Sequence, residues 1–487
     1  MKKRTKILAT IGPASDSLES IESLIRAGVN VYRLNFSHGT YEYHKDVLLK
    51  IRKVMKKTGL VVGVLQDISG PKIRIGNLEH DFELKENDKI VFHKDMITGK
   101  QTSTDSFEVS INYPEILTQL NIDDYIYLYD GIIRTKVISI SDTGVEVIVE
   151  NNGVLSSKKG VNFPNTSLGL DVLTDKDRRD IKWGVENGVD FMAISFVQDS
   201  TDMKNAKELV RSLGGKQMLI AKIEKFDAIQ NIDSILEESD GLMVARGDLG
   251  IEVPYYEVPN LQKILISKAN KAAKPVITAT QMLLSMTHSQ RATRAEISDI
   301  SNAVIDGTDA VMLSEESAVG KYPTLAVQTM FETIRETEKK YKYFQFDEIK
   351  CNDATNAIDE SAVRLAENLH VDGILSITAS GNSARKLAKY RPSNVIYAVT
   401  HDDRVRHQLT LTWGVIPAFS VENSSFGKTI RDVMKKGLDN KVLDRKKSYI
   451  LTAGDPIGIS GSTNIIRLLR EKEMEFFRNL QINPNPN

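Results

Sequence analysis

The sequence predicts an α/β fold: a (β/α)8 TIM barrel with an inserted small β-barrel lid domain and a C-terminal α/β domain. Three observations support this prediction. Eight short apolar runs alternate with amphipathic helical stretches, which is typical of a parallel sheet covered by helices. After the third run, a long segment has alternating rather than helical periodicity, and after a polar stretch at residues 344–355 the strand–helix alternation resumes. A doubly wound open sheet is the competing architecture for the eight runs.

The apolar runs predict the barrel strands. They are five to seven residues long and nearly continuous in hydrophobicity, as expected for strands that are buried on both faces. In chain order, the predicted strands are Ile7–Ile11, Val29–Leu34, Leu60–Leu65, Phe191–Val197, Met218–Ile223, Gly241–Ala245, Pro275–Ala279 and Asp309–Leu313. Helical periodicity predicts helices at Leu18–Ala27, Tyr43–Lys57, Met203–Ser212, Leu261–Ala273, Ala295–Asp306 and Thr324–Tyr343. Eight strand–helix units are the number that closes such a barrel.

The interruption after the third strand predicts an inserted domain. Residues 71–165 contain short runs of period-two hydrophobicity, separated by Asp-, Gly- and Asn-rich turns. Because an insertion at this point leaves the barrel at the end where active sites lie, it is suited to act as a lid, although a passive insertion fits the pattern equally well. The predicted domains are the barrel at 1–70 and 166–343, the β lid at 71–165 and the C-terminal domain at 344–487.

The composition argues against several classes of protein. The 64 basic and 65 acidic residues give a formal net charge of −1, so bulk charge does not indicate nucleic-acid binding. No apolar run approaches the length of a membrane span, and the first run ends at Gly12-Pro13, too early for an export signal. The single cysteine, Cys351, cannot form an intrachain disulfide, which favours a reducing compartment. We expect a cytoplasmic protein that binds neither nucleic acid nor membrane.

Polar residues follow nearly every predicted barrel strand. Strand carboxyl ends converge on one face of a barrel, where catalytic groups come from several strands. Lys222 and Glu224 are two residues apart and therefore point the same way, and Asp248 follows the next run just past a glycine. The full set is Arg33, Asn35, Ser37, Asp67, Ser195, Lys222, Glu224, Arg246, Asp248, Thr280, Ser314 and Glu316.

This set is suited to phosphoryl transfer. It contains cations for an anionic substrate and carboxylates for a metal, but neither a Cys/His metal cluster nor a Ser-His-Asp arrangement. In phosphoryl transfer the protein aligns donor and acceptor and neutralises developing charge with a metal and fixed cations. Two carboxylates leave Mg²⁺ most of its coordination positions for water and substrate oxygens. For any single pair of charges, a surface salt-bridge cluster is the alternative.

Six motifs stand in an order that resembles the pyruvate kinase family. They are Asn35-Phe36-Ser37-His38-Gly39, Gly70-Pro71-Lys72-Ile73-Arg74, Ala221-Lys222-Ile223-Glu224, Ala245-Arg246-Gly247-Asp248-Leu249-Gly250, Ala279-Thr280-Gln281-Met282 and Arg291-Ala292-Thr293-Arg294-Ala295-Glu296. The resemblance runs from about Lys6 to Arg467. It implies a barrel, an inserted lid and a C-terminal α/β domain, assembled as a homotetramer. It also implies transfer of the phosphoryl group of phosphoenolpyruvate to ADP, giving pyruvate and ATP.

The resemblance also implies roles for individual residues. Glu224 and Asp248 match the ligands of the catalytic Mg²⁺, a place that Mn²⁺ also suits. Lys222 matches the cation that stabilises the transferring phosphoryl group and the enolate, and Thr280 belongs to the route that brings a proton to the enolate. The implied catalytic residues are Lys222, Thr280 and the phosphate-binding Arg33 and Arg74. Substrate contacts are expected at Arg33, Lys222, Gly247, Asp248, Thr280 and Ser195, and nucleotide contacts at Thr10, Pro13, Tyr43 and Lys159.

Two departures from the family pattern concern a monovalent cation. Many pyruvate kinases need K⁺, and the residues that match its ligands are Asn35, Ser37, Asp67 and Ile68. Ile68 has no side-chain oxygen. The usual Gly-Pro-Glu motif has Lys72 as its third residue here, as in a K⁺-independent group of the family. We expect the Lys72 ammonium to replace K⁺, with Asp67 as its candidate partner; a solvated lysine is the alternative.

The C-terminal domain contains a candidate effector site. Hydroxyls and backbone amides that open a helix can bind an anion, and in the family this loop binds a phosphate of an allosteric activator; simple helix capping is the alternative. The loop residues are Thr378, Ser380, Gly381, Asn382 and Ser383. A later loop lacks the arginine seen in some members activated by fructose-1,6-bisphosphate, and it contains Asp455. That difference favours a sugar monophosphate or AMP as the phosphorylated effector.

Two other functions remain compatible with the sequence. One is a different phosphoenolpyruvate-handling barrel, such as a mutase or a dikinase-type domain, but the inserted lid and the C-terminal domain argue against it. The other is a catalytically inactive metabolite sensor. The presence of Lys222, Glu224 and Asp248 together argues against a sensor.

Overall fold

Eight parallel strands close into a barrel in the computed structural model, which describes residues 3–164, 166, 169, 171–346, 353–458, 461 and 463–481. The strands follow one another around the barrel in chain order, and the last pairs with the first. This arrangement confirms the predicted (β/α)8 barrel, and the open-sheet alternative is wrong. Cys351 lies outside the described residues.

The barrel begins with three strands and two helices. These are β1 (Lys6–Thr10), α1 (Leu18–Ala27), β2 (Val31–Asn35), α2 (Tyr41–Thr58) and β3 (Gly63–Asp67). Every residue of β1 and β3 is buried, as expected for strands covered on both faces.

The lid follows β3, at the position that the sequence predicts. It consists of a seven-stranded sheet and a two-stranded ribbon, with a hydrophobic core of its own. Its strands are β4 (Phe82–Leu84), β5 (Lys89–His93), β6 (Lys100–Ser103), β7 (Ser106–Ser110), β8 (Tyr125–Leu128), β9 (Ile133–Ile140), β10 (Gly144–Val149), β11 (Gly153–Leu155) and β12 (Val161–Asn162), and a 3-10 helix covers Pro114–Gln119.

The remaining five barrel strands follow the lid. They are β13 (Phe191–Ile194), β14 (Met218–Ile223), β15 (Gly241–Ala245), β16 (Val276–Ala279) and β17 (Ala310–Leu313). The helices are α3 (Asp175–Asn187), α4 (Ser200–Ser212), α5 (Phe226–Gln230), α6 (Ile232–Glu238), α7 (Arg246–Glu252), α8 (Val258–Lys271), α9 (Arg294–Ile305), α10 (Glu315–Ala318) and α11 (Pro323–Glu338), with a 3-10 helix at Leu284–Thr287.

The C-terminal domain has a five-stranded sheet, in which four strands are parallel and the last is antiparallel. The elements are α12 (Ala354–Asn368), β18 (Gly373–Ile377), α13 (Asn382–Ala388), β19 (Val395–Thr400), α14 (Asp403–Gln408), a 3-10 helix Leu409–Leu411, β20 (Val415–Ser420), α15 (Phe426–Asp439), β21 (Tyr449–Gly454), β22 (Thr463–Leu469) and α16 (Glu471–Arg478). Leu411 packs with the barrel interior residues Leu8, Val31 and Phe191. The C-terminal domain therefore contributes to the core at the amino-terminal end of the barrel.

Several helices begin before their predicted first residue, because polar caps set where they start. Helix α2 begins at Tyr41 rather than Tyr43, since the Thr40 hydroxyl accepts from the Tyr43 amide. Helix α4 begins at Ser200 rather than Met203, after a capping box formed by Asp199. The first turn of such a helix is polar, so hydrophobic periodicity alone does not reveal it.

In the C-terminal domain the sequence predicts elements that correspond to α12, β18, α13, β19, α14 and β21, but not strands β20 and β22 or helices α15 and α16. Strand β20 contains Pro417 and lies at one edge of its sheet, where proline is tolerated because no ladder hydrogen bond is lost. The domain boundaries at 70/71, 165/166 and 343/344 remain predictions.

No helix in the described part of the chain combines the length and the apolar character that a membrane crossing requires.

Candidate active site at the carboxyl end of the barrel

Lys222 lies at the centre of a cluster of polar groups at the barrel mouth. It is the penultimate residue of β14. Its ammonium lies 2.8 Å from Glu224 Oε1 and 3.2 Å from Asp67 Oδ1. The same ammonium donates to Ser195 Oγ at 2.6 Å, and that hydroxyl donates to the Ile68 carbonyl. The sequence predicts that the side chains of Lys222 and Glu224, two residues apart, point the same way, and in the structure they are in direct contact.

Arg33 connects this cluster to the first strand. Its Nε lies 2.6 Å from Asp67 Oδ2, and its Nη1 donates to Thr10 Oγ1 at 3.0 Å. Asp67 is buried, and it therefore carries a cation on each oxygen. The described contacts join four strands (β1, β2, β3 and β14) at a single mouth.

The electrostatics of the cluster follow from burial and from this pairing. Burial lowers the pKa of Lys222, but the Asp67 and Glu224 carboxylates outweigh it and hold the pKa above its usual value. Burial raises the pKa of Asp67, but Lys222 and Arg33 outweigh it and the net pKa is lowered. At neutral pH Lys222 is therefore a fixed cation and Asp67 a fixed anion.

Glu224 and Asp248 form a carboxylate pair suited to a divalent cation. Glu224 is buried and accepts from the Phe196 amide at 2.9 Å. Burial raises the pKa of Glu224, and the Lys222 ammonium lowers it. The charge of Asp248, which lies in the first turn of α7, raises that pKa further. A divalent ion would relieve the repulsion between the charges of Glu224 and Asp248, so the donor set fits Mg²⁺ or Mn²⁺. Within the described residues no third acidic, His or Cys ligand joins the pair, so a bound ion would have its remaining coordination positions open to water and substrate.

Thr280 has a backbone conformation that is rare for a β-branched residue. Its φ is 69°, and the φ of Gln281, which follows it, is 55°. Its hydroxyl accepts from the Gly247 amide at 2.8 Å and donates to the Ala279 carbonyl at 2.7 Å. Such strain persists only where the surroundings impose it, and it clusters at functional sites.

Arg246 supplies much of that constraint. Its Nε donates to the Ala279 carbonyl at 3.1 Å and its Nη2 to the Thr280 carbonyl at 2.7 Å. The guanidinium is itself held by Asp299, 2.6 Å from Nη1. Because Arg246 also opens α7, one residue fixes Thr280 relative to Gly247 and Asp248.

The lid residues with predicted roles make no described contact with this cluster. The Arg74 guanidinium is exposed and donates to the Lys158 carbonyl at 2.9 Å, and the Lys159 ammonium lies 4.0 Å from the centre of the Tyr129 ring. The Lys72 ammonium lies 3.4 Å from Asp130. The expected pairing of Lys72 with Asp67 is therefore wrong, because Arg33 and Lys222 already occupy both Asp67 oxygens.

Lys72 nevertheless faces the barrel. Together with Asp248, Phe196 and Lys225 it lines a cleft of about 540 Å³ between lid and barrel. The hinge beside this cleft is held by Glu252, which pairs with Lys225 at 2.7 Å and accepts from Asn162 of the lid at 3.3 Å.

The remaining residues with predicted nucleotide or cation roles lie around the mouth. Pro13 is exposed, and burial raises the pKa of Tyr43 to about 12, with the charges of Asp16 and Asp46 adding to it. Asn35 Oδ1 accepts from the Ser37 amide at 3.1 Å. Asn35, Ser37 and Tyr43 make no described contact with Lys222 or Glu224.

Comparison with known proteins identifies this architecture. The model of the pyruvate kinase barrel domain matches residues 2–327, and that of the pyruvate kinase alpha/beta domain matches residues 356–469. The chain belongs to the pyruvate kinase family. It is 41% identical over 476 residues to a pyruvate kinase of Geobacillus stearothermophilus and 42% identical over 474 residues to one of Sporosarcina psychrophila. Both alignments cover 96% of this chain and 80% of the relative.

A solved structure supports the same assignment. The crystal structure of a pyruvate kinase from Cryptosporidium parvum superposes with a TM-score of 0.88 at 34% identity, and the match covers 96% of each chain. These findings confirm the resemblance seen in the six motifs, and the chain is an enzyme of the pyruvate kinase family.

The loop with a predicted effector role lines a separate pocket, of about 480 Å³, in the C-terminal domain. Gly381 has φ 82° and its amide donates to Thr378 Oγ1 at 3.0 Å, while Ser383 Oγ and Thr463 Oγ1 are 2.6 Å apart. Asn382 is the first residue of α13. Thr378, Ser380 and Ser383 line the pocket, together with His401 and Thr400.

Two carboxylates shape the mouth: Asp177, which the sequence analysis missed, and Glu316, which it placed at a strand end without a role. Asp177 accepts from the Gly70 amide at 3.1 Å, and it also forms a capping box with Thr174, so it fixes the lid hinge to α3. Glu316 accepts from the Ser314 and Leu283 amides at 2.7 and 3.0 Å. A Thr-x-x-Asp capping signal was visible for Asp177, but its contact with Gly70 is tertiary and has no local signal.

Proposed function

We propose that this enzyme transfers the phosphoryl group of phosphoenolpyruvate to ADP with Mg²⁺ as cofactor, giving pyruvate and ATP. The observation that carries the proposal is the position of the Lys222 ammonium, 2.8 Å from Glu224 and 3.2 Å from Asp67 at the barrel mouth. A fixed cation beside a carboxylate pair can bind an anionic donor and a metal at one point.

Each protein group has a role in this reaction. Glu224 and Asp248 would hold the metal ion, which would supply positive charge to substrate oxygens. Lys222 and Arg33 face the phosphate and offset the charge that develops as its bond to the enol oxygen breaks and a bond to the ADP β-phosphate oxygen forms. The negative charge left on the enolate oxygen is stabilised by Lys222.

The second half of the reaction is protonation of the enolate carbon, which gives pyruvate. We assign binding of the substrate carboxylate to the Gly247 and Asp248 amides. Thr280 supplies the hydroxyl nearest to that carboxylate. In the free enzyme the Gly247 amide donates to that hydroxyl at 2.8 Å, so the amide exchanges the hydroxyl for the carboxylate when substrate binds, and carboxylate binding and hydroxyl orientation are linked. Ser195, Arg74, Thr10, Pro13, Tyr43 and Lys159 complete the proposed substrate and nucleotide contacts.

A lactate-dehydrogenase-coupled assay tests this function. Purified enzyme with phosphoenolpyruvate, ADP and Mg²⁺ is expected to form pyruvate and ATP in equal amounts, and excess EDTA is expected to stop the reaction. A mutase or dikinase-type activity would give neither stoichiometric ATP nor dependence on ADP. Binding of phosphoenolpyruvate without turnover would favour a metabolite sensor instead.

We further propose that the enzyme does not require K⁺, because Lys72 supplies the charge. Two observations support this. The two Asp67 oxygens already form ion pairs with Arg33 and Lys222, and Lys72 lines the same cleft as Asp248. Wild-type activity is expected to be similar in tetramethylammonium and KCl buffers. The Lys72→Glu variant is expected to lose activity at least tenfold in tetramethylammonium and to regain most of it with KCl.

The control for this variant is Lys100→Glu, which makes the same charge reversal on the lid, where Lys100 pairs with Glu108 at 3.5 Å. It should leave the K⁺ response unchanged. Many-fold activation of the wild type by KCl would show that Lys72 does not replace the cation.

The C-terminal pocket is proposed as the site of a phosphorylated activator, a sugar monophosphate or AMP. Thr378, Ser380 and Ser383 offer hydroxyls to one phosphate, and the exposed Asp455 disfavours a second. At sub-saturating phosphoenolpyruvate, monophosphates are expected to activate the wild type severalfold. The Ser380→Glu variant should keep basal activity and lose activation. Stronger activation by fructose-1,6-bisphosphate than by any monophosphate would contradict the choice of effector.

A homotetramer is the proposed assembly. Apolar side chains that are 50–79% exposed occur on or beside α8 and α9, namely Tyr255, Tyr256, Ile264 and Ile305, and a second copy of the chain would cover them. We also propose a cytoplasmic location, on the basis of the single cysteine.

A further inference from the structure

Lys176, the second residue of α3, connects the two loops that follow β2 and β3 at the barrel mouth. Its ammonium donates to the Phe36 carbonyl at 2.8 Å, in the loop after β2, and to Ser69 Oγ at 3.1 Å, in the loop after β3. It also pairs with Asp180 at 2.6 Å, one turn later in the same helix. One side chain therefore joins three segments that are distant in the sequence.

Asp180 fixes the position of the Lys176 ammonium. The Asp180 carboxylate is buried, and its other oxygen accepts from the hydroxyl of Tyr41, the first residue of α2, at 2.8 Å. A buried carboxylate with two donors has little freedom to move, and the cation that it pairs with is held in turn. The Lys176 side chain is itself half-exposed, so its replacement does not open a cavity in the core.

The loop after β2 is held from two sides. On one side, the Phe36 ring stacks on the His44 ring with the centroids 4.2 Å apart, and His44 Nε2 lies 2.9 Å from the His38 carbonyl oxygen. On the other side, the Phe36 carbonyl accepts from Lys176. This loop leads directly into α2, which contains Tyr43, one of the proposed nucleotide contacts.

The loop after β3 leads into the lid, and it is held by Lys176 together with the next residue. Ser69 Oγ accepts from Lys176 and donates to Asp177 Oδ1 at 3.4 Å, and the Gly70 amide donates to the same Asp177 oxygen at 3.1 Å. Gly70 has φ 67°, and a Cβ atom there would lie 2.7 Å from the Phe196 ring. The chain therefore enters the lid from a fixed point.

We propose that Lys176 is a positioning residue for the nucleotide: it aligns the loop after β2 with the entry to the lid. This inference rests on the proposed function. The proposed nucleotide contacts lie on both sides of this link, because Tyr43 follows the loop after β2 and Lys159 belongs to the lid. The proposed phosphoenolpyruvate contacts Lys222 and Thr280 make no described contact with Lys176, so the link acts on one substrate more than on the other.

Steady-state kinetics with each substrate varied in turn test the proposal. Lys176→Met is expected to raise the KM for ADP about tenfold and the KM for phosphoenolpyruvate less than about threefold, because small misplacements of binding groups have large kinetic effects. Lys176→Arg keeps the charge and can still donate to the Phe36 carbonyl, so it should restore most of the ADP affinity. Lys182→Met is the matched control, because Lys182 is exposed on the same helix, 3.9 Å from Glu186, and should leave both KM values unchanged.

Hydrogen–deuterium exchange on the full-length chain gives a second readout, which does not need turnover. In Lys176→Met, amide exchange is expected to accelerate at residues 36–40 and 68–71, since both loops lose a contact that opposes local opening. Ser69→Ala leaves the pair of Lys176 and Asp180 intact, so it carries little risk to folding. It should accelerate exchange at residues 68–71 alone and raise the KM for ADP severalfold.

The outcomes are decisive in either case. Equal changes in the two KM values, or exchange at both loops that matches the Lys182→Met control, would overturn the role of Lys176. If the wild type formed no pyruvate, the proposed function would fail, but calorimetric titration with ADP and Mg²⁺ would still test this inference. About tenfold weaker ADP binding by Lys176→Met than by Lys182→Met would then support it, and equal binding would refute it.

Discussion

The Lys222→Met variant is expected to lose about 10³-fold or more in kcat while its affinity for phosphoenolpyruvate changes only a few-fold. Methionine preserves the length of the side chain but removes the charge that opposes the developing negative charge in the transition state, and such preorganised charges typically contribute about 10²–10³-fold each. Arg33 and the metal ligands remain to bind the ground state. Steady-state kinetics together with equilibrium binding of phosphoenolpyruvate measure the two effects separately.

The same substitution also leaves Asp67 and Glu224 with fewer partners, and breaking a buried pair destabilises a protein by about 3–5 kcal/mol. Arg391→Met provides a matched control, because Arg391 forms a buried ion pair with Asp309 at 3.2 Å, at the opposite end of the barrel. That variant should lose comparable stability but keep its activity per folded molecule. If Lys222→Met turned over like the wild type, the role assigned to Lys222 would be wrong.

The Arg246→Lys variant is expected to lose about 10²-fold in kcat, with a smaller change in KM. Lysine keeps the charge and the pairing with Asp299 but cannot donate to the Ala279 and Thr280 carbonyls at once. Thr280 would then relax from its left-handed backbone conformation and move its hydroxyl away from Gly247. A misplacement of about 1 Å at a reacting group is enough for a loss of this size.

Arg52→Lys is the matched control for Arg246→Lys. Arg52 also makes several contacts at once, to the Gly188 carbonyl at 3.2 Å and to Asp190 at 3.1 Å, but at the amino-terminal end of the barrel. Its replacement should lower the melting temperature without a selective fall in kcat. Equal kinetic effects in the two variants would indicate that Arg246 contributes only to stability.

The sequence was sufficient for the barrel and for the contact between Lys222 and Glu224, because both follow from local periodicity. Residues two apart at a strand end share a face whatever the rest of the chain does. The hydrophobic run Met218–Ile223 coincides with β14. The lid was found for the same reason, since period-two patterns interrupt helical ones.

Contacts between distant segments were beyond the reach of these patterns. The sequence placed Asp67 beside Lys72, five residues away, whereas the barrel brings Arg33 and Lys222 to it from other strands. The contacts of Arg246 with the Thr280 carbonyl and of Asp177 with Gly70 depend likewise on packing between elements. The strained backbone of Thr280 has no sequence signature, because it is imposed by its neighbours.

The assignment of Glu224 and Asp248 as the metal pair is tested most directly by anomalous X-ray scattering from crystals grown with Mn²⁺ and phosphoenolpyruvate. We expect one Mn²⁺ peak at bonding distance from both carboxylates and from a phosphate oxygen, with the Lys222 ammonium against the same phosphate. A peak on other side chains, or a phosphate bound away from Lys222, would contradict the mechanism proposed for this enzyme.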